Sequence, residues 1–331
     1  MSRSAAIAER VTVSVPARLH LGFMDLNGSL GRRFGGIGLA LKELGTTITI
    51  KPSTQTQVEG PDHARARDYL ESMRRQLRLN ADYYLVVEKA VPAHAGLGSG
   101  TQLALAVAAG VRRLNDLPLD VPHDAIHLGR GLRSSTGIGI FTRGGLVVDG
   151  GRRADEVPAP IICHMPVPES WGVLVLLDPA RQGLHGPEEL AAFAALAPFP
   201  AEEAAHLCRL VVMKLLPSLA ECDLAGFTGA LKEMQTRLGD YYAPVQGGHR
   251  FTSPHVAAAL AVLEHEGALG IGQSSWGPTG FAFAPSSAEA TRLVSVIRQR
   301  AESKGLDIRV CAALNRGADI KVRTAAGADL A

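Results

Sequence analysis

The stretch Pro92 to Gln102, PAHAGLGSGTQ, constrains this chain more than any other. A β-branched run from Tyr84 to Val91 ends at Pro92, glycines recur at 96, 98 and 100, and an alanine- and leucine-rich segment follows from Leu103 to Leu114. That order predicts strand, tight loop, helix. Glycine lets successive N–H groups converge with no Cβ in the way, and a helix opening behind the turn adds its unpaired N–H groups and positive dipole end. The expectation is a phosphate site at Gly96, Leu97, Gly98, Ser99, Gly100 and Thr101. The hydroxyls of Ser99 and Thr101 suit an N-cap, a phosphate oxygen or a metal ion. The stretch is not a Walker loop, which needs Gly-Lys-Ser/Thr, nor a dinucleotide fingerprint, whose downstream acid has no clear counterpart.

At 331 residues the chain exceeds ordinary single-domain size, so two domains sharing a cleft are expected. The proline-rich, weakly periodic stretch Pro158 to Pro168 sets the boundary, giving domains 1–165 and 166–331. A net charge of +2 provides no general attraction to nucleic acid or an acidic membrane, so any positive potential has to be local. Apolar runs such as Leu103 to Val111 are too short to cross a bilayer, and MSRSAAIAERV lacks the apolar core of a signal peptide. A cytoplasmic protein is expected. Cys163, Cys208, Cys222 and Cys311 are widely spaced, which suggests buried free thiols rather than a disulfide framework or a zinc knuckle.

Val11 to Val15 alternates as a strand and leads into Pro16 to Leu41, PARLHLGFMDLNGSLGRRFGGIGLAL, which holds six glycines. So much glycine predicts a functional loop region with short strands on either side, carrying Arg18, His20, Asp25, Arg32 and Arg33. Gly129 to Gly151 repeats the pattern with Arg130, Arg133 and Arg143 around Ser134, Ser135 and Thr136, behind a helix expected over Val121 to Leu132. A further cluster, GIGQSSWGPTGFAF at Gly270 to Phe283, places the turn SSWGPTG between two predicted strands. With strands at Trp171 to Asp178 and Leu306 to Val310, and helices at Ser253 to Glu266 and Ala288 to Ser303, the second half reads as mixed sheet with helices, an α+β layout.

Three of these motifs, in this order, resemble the GHMP superfamily named for galactokinase, homoserine kinase, mevalonate kinase and phosphomevalonate kinase. PARLHLGFMD is similar to its N-terminal Pro-Gly-Arg-Val segment, PAHAGLGSGTQ to its phosphate loop, and GQSSWGPTGF to its C-terminal Ser-Gly-x-Gly-Pro loop. Gly100 and Thr101 depart from the usual Ser-Ala. Within the superfamily, HLGFMDLNGSLGRRFGGIGLAL, GRGLRSSTGIGIFTRGGLVVDGG and GQSSWGPTGF resemble the β-ribofuranosylaminobenzene 5′-phosphate synthases, which begin methanopterin assembly. The resemblance implies an N-terminal domain like the second domain of a small-subunit ribosomal protein, a ferredoxin-like C-terminal domain and a homodimer. It also implies a transferase that joins phosphoribosyl pyrophosphate to 4-aminobenzoate or 4-hydroxybenzoate, giving an aryl C-riboside phosphate, carbon dioxide and pyrophosphate. The alternative is an ATP-dependent GHMP kinase. That reading loses its usual base, because Thr136-Gly137-Ile138-Gly139 offers no aspartate and Asp149, beyond a predicted strand, is a weak substitute.

For the transferase, donors have to meet the leaving diphosphate, and the Gly96–Thr101 amides, a Mg²⁺ ion, and Arg32 or Arg33 are the expected ones. The family pattern favours Arg32. Asp25 is the expected carboxylate beside the anomeric carbon, with capping of the Asn27-Gly28 turn as its second reading. Arg133 or Arg18 is expected to hold the benzoate carboxylate, while His20 binds substrate or packs in the core. Ser274, Gly277 and Thr279 close the cleft over the ligand or merely satisfy their turn.

Overall fold

The computed structural model describes residues 8–153, 157–183, 186–324 and 329–330; Met1–Ile7 of the N-terminal stretch lie outside the described residues. The first half runs β1 (Ala8–Asp25), β2 (Phe34–Ser53), β3 (Gln57–Glu59), α1 (His63–Gln76), β4 (Asp82–Lys89), α2 (Ser99–Leu114), α3 (Val121–His127), α4 (Thr136–Arg143), β5 (Leu146–Asp149) and β6 (Ile161–Met165). The second half runs β7 (Gly172–Leu177), α5 (Gly186–Ala195), α6 (Ala201–Leu210), α7 (Leu216–Ala220), α8 (Leu224–Tyr242), α9 (Pro254–His265), β8 (Leu269–Gln273), β9 (Gly280–Ala284), α10 (Ser287–Ile297) and β10 (Asp307–Cys311). β11 (Asp319–Thr324) and β12 (Asp329–Leu330) close the chain.

Two sheets result. The larger has the order β12-β11-β1-β2-β4-β3, with β5 pairing to β2 and β6 to β5; β11 brings the end of the chain back beside β1. The smaller is antiparallel, β10-β7-β9-β8, and its strand–helix–strand–strand–helix–strand path is that of a ferredoxin-like domain. Helices start where the sequence supplies caps: Asp223, Ser253 and Ser286 accept from the N–H groups of Gly226, Val256 and Glu289.

Pro16 to Leu41 is not the loop that its glycine content suggested. β1 and β2 run through it as one long hairpin, leaving 26–33 as the connection. Strand-interior glycines mark places where another element comes close. A Cβ on Gly22 would stand 2.7 Å from Met234 Sδ on α8, and one on Gly38 would stand 2.7 Å from Thr136 Cβ on α4. At Gly22 the register also slips by one residue, which puts Phe23 on the side of His20, with ring centroids 4.5 Å apart.

The apolar faces divide accordingly. Val11, Val13, Val15, Ile48 and Ile50 pack under α1 and α2, and β7 and β9 carry Leu174, Leu176, Ala282 and Ala284 against α9 and α10. Further along the hairpin, Leu19, Leu21 and Leu39 share a core with Val173, Phe227, Leu231 and Met234, so the two halves are joined by buried surface rather than by a tether. α3 stops at His127, short of the expected Leu132, because Gly129 at φ 66 turns the chain. Of the four thiols, Cys311 is buried, Cys163 and Cys208 are half-buried, and Cys222 is exposed in the turn after α7, correcting the expectation that all are interior.

Candidate active site

The glycine-rich stretches converge. Gly98 takes the left-handed conformation at φ 75 and opens α2, whose first amides have no partner within the helix. A Cβ on Gly96 would stand 3.0 Å from Gly277 Cα, so only glycine at both positions lets the turn between β8 and β9 lie on the phosphate loop. Ser274 fastens the contact: its Oγ accepts from His20 N at 2.9 Å and donates to Gly96 O at 2.8 Å. Arg18 N donates to Leu97 O at 3.0 Å, tying β1 to the same bend.

A cavity of about 300 Å³ opens here. Its lining includes Arg18, His20, His94, Thr101, Arg130 and Arg133, and no carboxylate is among the described residues that line it. Arg18 lies against Gly96 and Gly98, with Nη1 donating to Gly96 O at 3.3 Å while buried Nε has no protein partner. Burial pushes its pKa down to about 10, partly offset by the charge of Asp149. Arg130 Nη1 stands 3.0 Å from the place a Cβ on Gly100 would take, and Arg65 Nη1 stands 3.4 Å from it. The departure from Ser to Gly at this position thus makes room for guanidinium groups beside the first turn of α2. Burial also lowers the pKa of Arg133, whose guanidinium sits 5.6 Å from the centre of the Phe193 ring.

Behind the wall lies a carboxylate that the sequence reading undervalued. Asp149 is fully buried at the end of β5 and takes four hydrogen bonds: Gly36 N at 3.0 Å and Gly151 N at 3.1 Å on Oδ1, and Ser134 Oγ and Ser135 N at 2.9 Å on Oδ2. Burial pushes its pKa up, and those donors oppose the shift. Around Gly36, Ser134 Oγ, Asp149 Oδ2 at 3.0 Å and His20 Nε2 at 3.1 Å surround the space a Cβ would fill. His20 is held well below the usual histidine range, first by burial and then by the charge of Arg18, so its ring is neutral near pH 7.

The expected residues separate. Arg18, His20, Gly96, Thr101, Arg133 and Gly277 line the cavity, whereas Leu97, Gly98, Ser99, Gly100, Ser274 and Thr279 shape the bends around it. Asp25 and Arg32 are elsewhere: Asp25 Oδ1 accepts from the N–H groups of Asn27 and Gly28 at 2.8 and 2.9 Å, and Arg32 Nη1 donates to Gly151 O at 3.0 Å. Neither lines the cavity. Arg32 and Arg33 border a separate open concavity with Arg152 and Arg153, and neither of these two expected diphosphate donors lines the cavity. The reason is the length of the hairpin, which carries both to its tip. Phe23, His94, Arg130, Ser134, Asp149 and Trp276 were not singled out as site residues; a carboxylate at a strand end followed by two glycines was the signal for Asp149.

Among the described residues, no group of three His, Cys, Asp or Glu could hold a metal. With no carboxylate on the lining, these residues do not form a protein site for Mg²⁺, which ordinarily needs one or two carboxylates besides phosphate oxygens. No described helix is long and apolar enough to cross a membrane.

Residues 64–141 match the family model described as GHMP kinases N terminal domain, and residues 215–303 the one described as GHMP kinases C terminal. The chain is 35% identical over 321 residues to a beta-ribofuranosylphenol 5'-phosphate synthase of Archaeoglobus fulgidus, covering 93% of this chain and 98% of that one. It is 30% identical over 288 residues to the protein of that name from Methanothermobacter thermautotrophicus, covering 80% and 86%. Among solved structures it resembles homoserine kinase from Cytophaga hutchinsonii, with a TM-score of 0.68 at 16% identity over 97% of this chain and all of that one. Mevalonate diphosphate decarboxylase from Staphylococcus aureus gives 0.67 at 12% identity over 94% and 98%. Identities this low speak for the fold alone.

Proposed function

Because the chain belongs to the GHMP kinase superfamily and, within it, to the beta-ribofuranosylphenol 5'-phosphate synthase family, we propose that it catalyses an early step of tetrahydromethanopterin biosynthesis. In this reading phosphoribosyl pyrophosphate and a para-substituted benzoate, 4-hydroxybenzoate or 4-aminobenzoate, give an aryl C-riboside 5′-phosphate, carbon dioxide and pyrophosphate. The observation that carries it is the cavity itself, whose described lining pairs Arg18, Arg130 and Arg133 with an aromatic wall of Phe23 and Trp276 and has no carboxylate among the described residues. Such a site suits two anionic substrates, one of them aromatic.

The residues divide the work by position. Arg18, Arg130 and the opening amides of α2 take the diphosphate, where negative charge grows as the C1–O bond breaks. Arg133, beside the Phe193 ring, takes the benzoate carboxylate. The ring carbon bearing that carboxylate attacks C1; the carboxylate then leaves as carbon dioxide and its bonding pair restores the aromatic ring. Mg²⁺ belongs to this reading as the counter-ion that the diphosphate brings with it, and no step is assigned to it. Asp149 balances Arg18 and fixes Ser134. A kinase reading needs a carboxylate free to accept a hydroxyl proton, and both oxygens of Asp149 already carry two donors each.

Mass spectrometry of products from the purified protein, phosphoribosyl pyrophosphate, Mg²⁺ and each benzoate in turn is the test. A product lacking the carboxylate mass, formed with stoichiometric pyrophosphate, is expected. ADP formed from ATP on an alcohol, with no arylriboside from either benzoate, would replace this reading with the kinase. Homodimerisation and a cytoplasmic setting are part of the same proposal, and light scattering after size exclusion tests the first.

A further inference from the structure

A second, much smaller cavity of about 30 Å³ lies behind the aromatic wall and shares His20, Phe23, Ser275 and Trp276 with the main one. Gly22, Gln235, Tyr242, Gln273 and Arg250, the last paired with Asp240, are among the rest of its lining. The chain is poor in aromatic residues, at 5%, yet Phe23, Phe34, Phe193, Trp276 and Tyr242 form one continuous cluster around this place. The Trp276 and Tyr242 rings meet edge to face at 5.0 Å.

Two polar atoms in this cluster are out of place in a core. Tyr242 Oη and Trp276 Nε1 are buried and have no protein partner, in side chains that are 8% and 4% exposed. The two glutamines nearby are already engaged: Gln235 Nε2 donates to Leu21 O, Gln235 Oε1 accepts from Gln273 N, and Gln273 Nε2 donates to Gln246 Oε1 and Ser275 O. Buried donors of this kind are normally satisfied, so their condition points to an absent partner.

We infer that this small cavity is the subsite for the para substituent of the aromatic acceptor, and that Tyr242 and Trp276 select a hydroxyl there. The inference rests on the proposed transferase reading. About 30 Å³ is the space of one water molecule, enough for a single polar heavy atom and too little for a ring. The ring therefore stays in the main cavity against Phe23 and Trp276. The para position lies opposite the reacting carbon, so a ring whose carboxylate end faces the donor turns its para group toward the back wall. Trp276 Nε1 can only donate, whereas Tyr242 Oη can donate or accept, so a para hydroxyl, itself both acceptor and donor, satisfies the two at once. An arylamine nitrogen shares its one lone pair with the ring and accepts poorly.

Binding of 4-hydroxybenzoate, 4-aminobenzoate and unsubstituted benzoate to the full-length protein, followed by tryptophan fluorescence and calorimetry, tests this. The wild type is expected to prefer 4-hydroxybenzoate about tenfold over 4-aminobenzoate and more over benzoate. Tyr242→Phe is expected to erase most of the preference for 4-hydroxybenzoate while leaving benzoate affinity and the KM for phosphoribosyl pyrophosphate within about twofold. Its melting temperature should hold or rise, because an unsatisfied hydroxyl is removed. Trp276→Phe removes the other donor and should shift selectivity in the same direction. Equal weakening of all three ligands, or no change in either variant, overturns the inference and leaves the cavity as a water site. Failure of the wild type to bind any benzoate removes the transferase reading as well, so the two failures are distinguishable.

Discussion

The two ends of the Pro16–Leu41 hairpin segment both carry ionisable side chains and use them differently. At one end, Arg18 and His20 are desolvated beside the phosphate loop, and buried atoms on each, Arg18 Nε and His20 Nε2, have no protein partner. At the tip, Asp25 and Arg32 bond to nearby backbone: the Asp25 carboxylate holds Asn27 and Gly28, and Arg32 holds Gly151. Burying a charge without a full set of partners is costly, so a fold keeps it where a ligand supplies what is missing. A charge bonded to its own turn needs no ligand.

The sharpest way to break this contrast is Arg18→Gln. Loss of the buried charge proposed to meet the diphosphate is expected to lower kcat/KM about a thousandfold, on the order of 4 kcal/mol, in steady-state kinetics with circular dichroism confirming the fold. A change below tenfold would move the donor site away from this end. Gly36→Ala comes next. Its Cβ would crowd Asp149 Oδ2 and His20 Nε2, 3.0 and 3.1 Å away, and the resulting shift is expected to cost about a hundredfold in kcat/KM together with about 1–3 kcal/mol of stability in urea titrations.

Acid provides the third test. The folded state refuses His20 a proton that the unfolded state accepts below about pH 6.5. His20 therefore supports folding above that pH, and the support is lost as pH falls, by about 1.4 kcal/mol per pH unit until the depressed folded value is reached. Asp149, with its raised pKa, has the opposite sign, so the readout is a difference between proteins. Between pH 6.5 and 5.5 the wild type should lose about 1 kcal/mol more than His20→Gln. The smallest effect is expected at the tip. Asp25→Asn keeps an oxygen for both amides and should leave kcat/KM within about threefold, with a stability loss near 1 kcal/mol or less. A hundredfold fall in turnover would restore to Asp25 the role of the carboxylate expected beside the anomeric carbon, and the contrast between the ends would fail.

Local chemistry made the glycine-rich bend before α2 legible from the chain itself. PAHAGLGSGTQ has one economical conformation, a bend opening a helix, and Gly98 and α2 adopt it. The α+β character was readable for the same reason, since the strand and helix periods of the second half are set within short windows. Distance along the hairpin was not readable. Glycines 22, 36 and 38 look like loop residues until Met234, Asp149 and Thr136 are seen leaning on them.

By itself, then, the sequence determined where backbone bends to open a helix and which superfamily the motifs resemble, because both are carried by neighbours in the chain. Tertiary structure alone decided which charges line the cavity at that bend. The slip in register at Gly22 sets Phe23 beside His20, Ser274 ties β1 to the phosphate loop from the far half of the chain, and Asp149 enters from β5. A side chain's role follows its desolvation and its partners, and those come from strands brought together by a shared core rather than from adjacent residues.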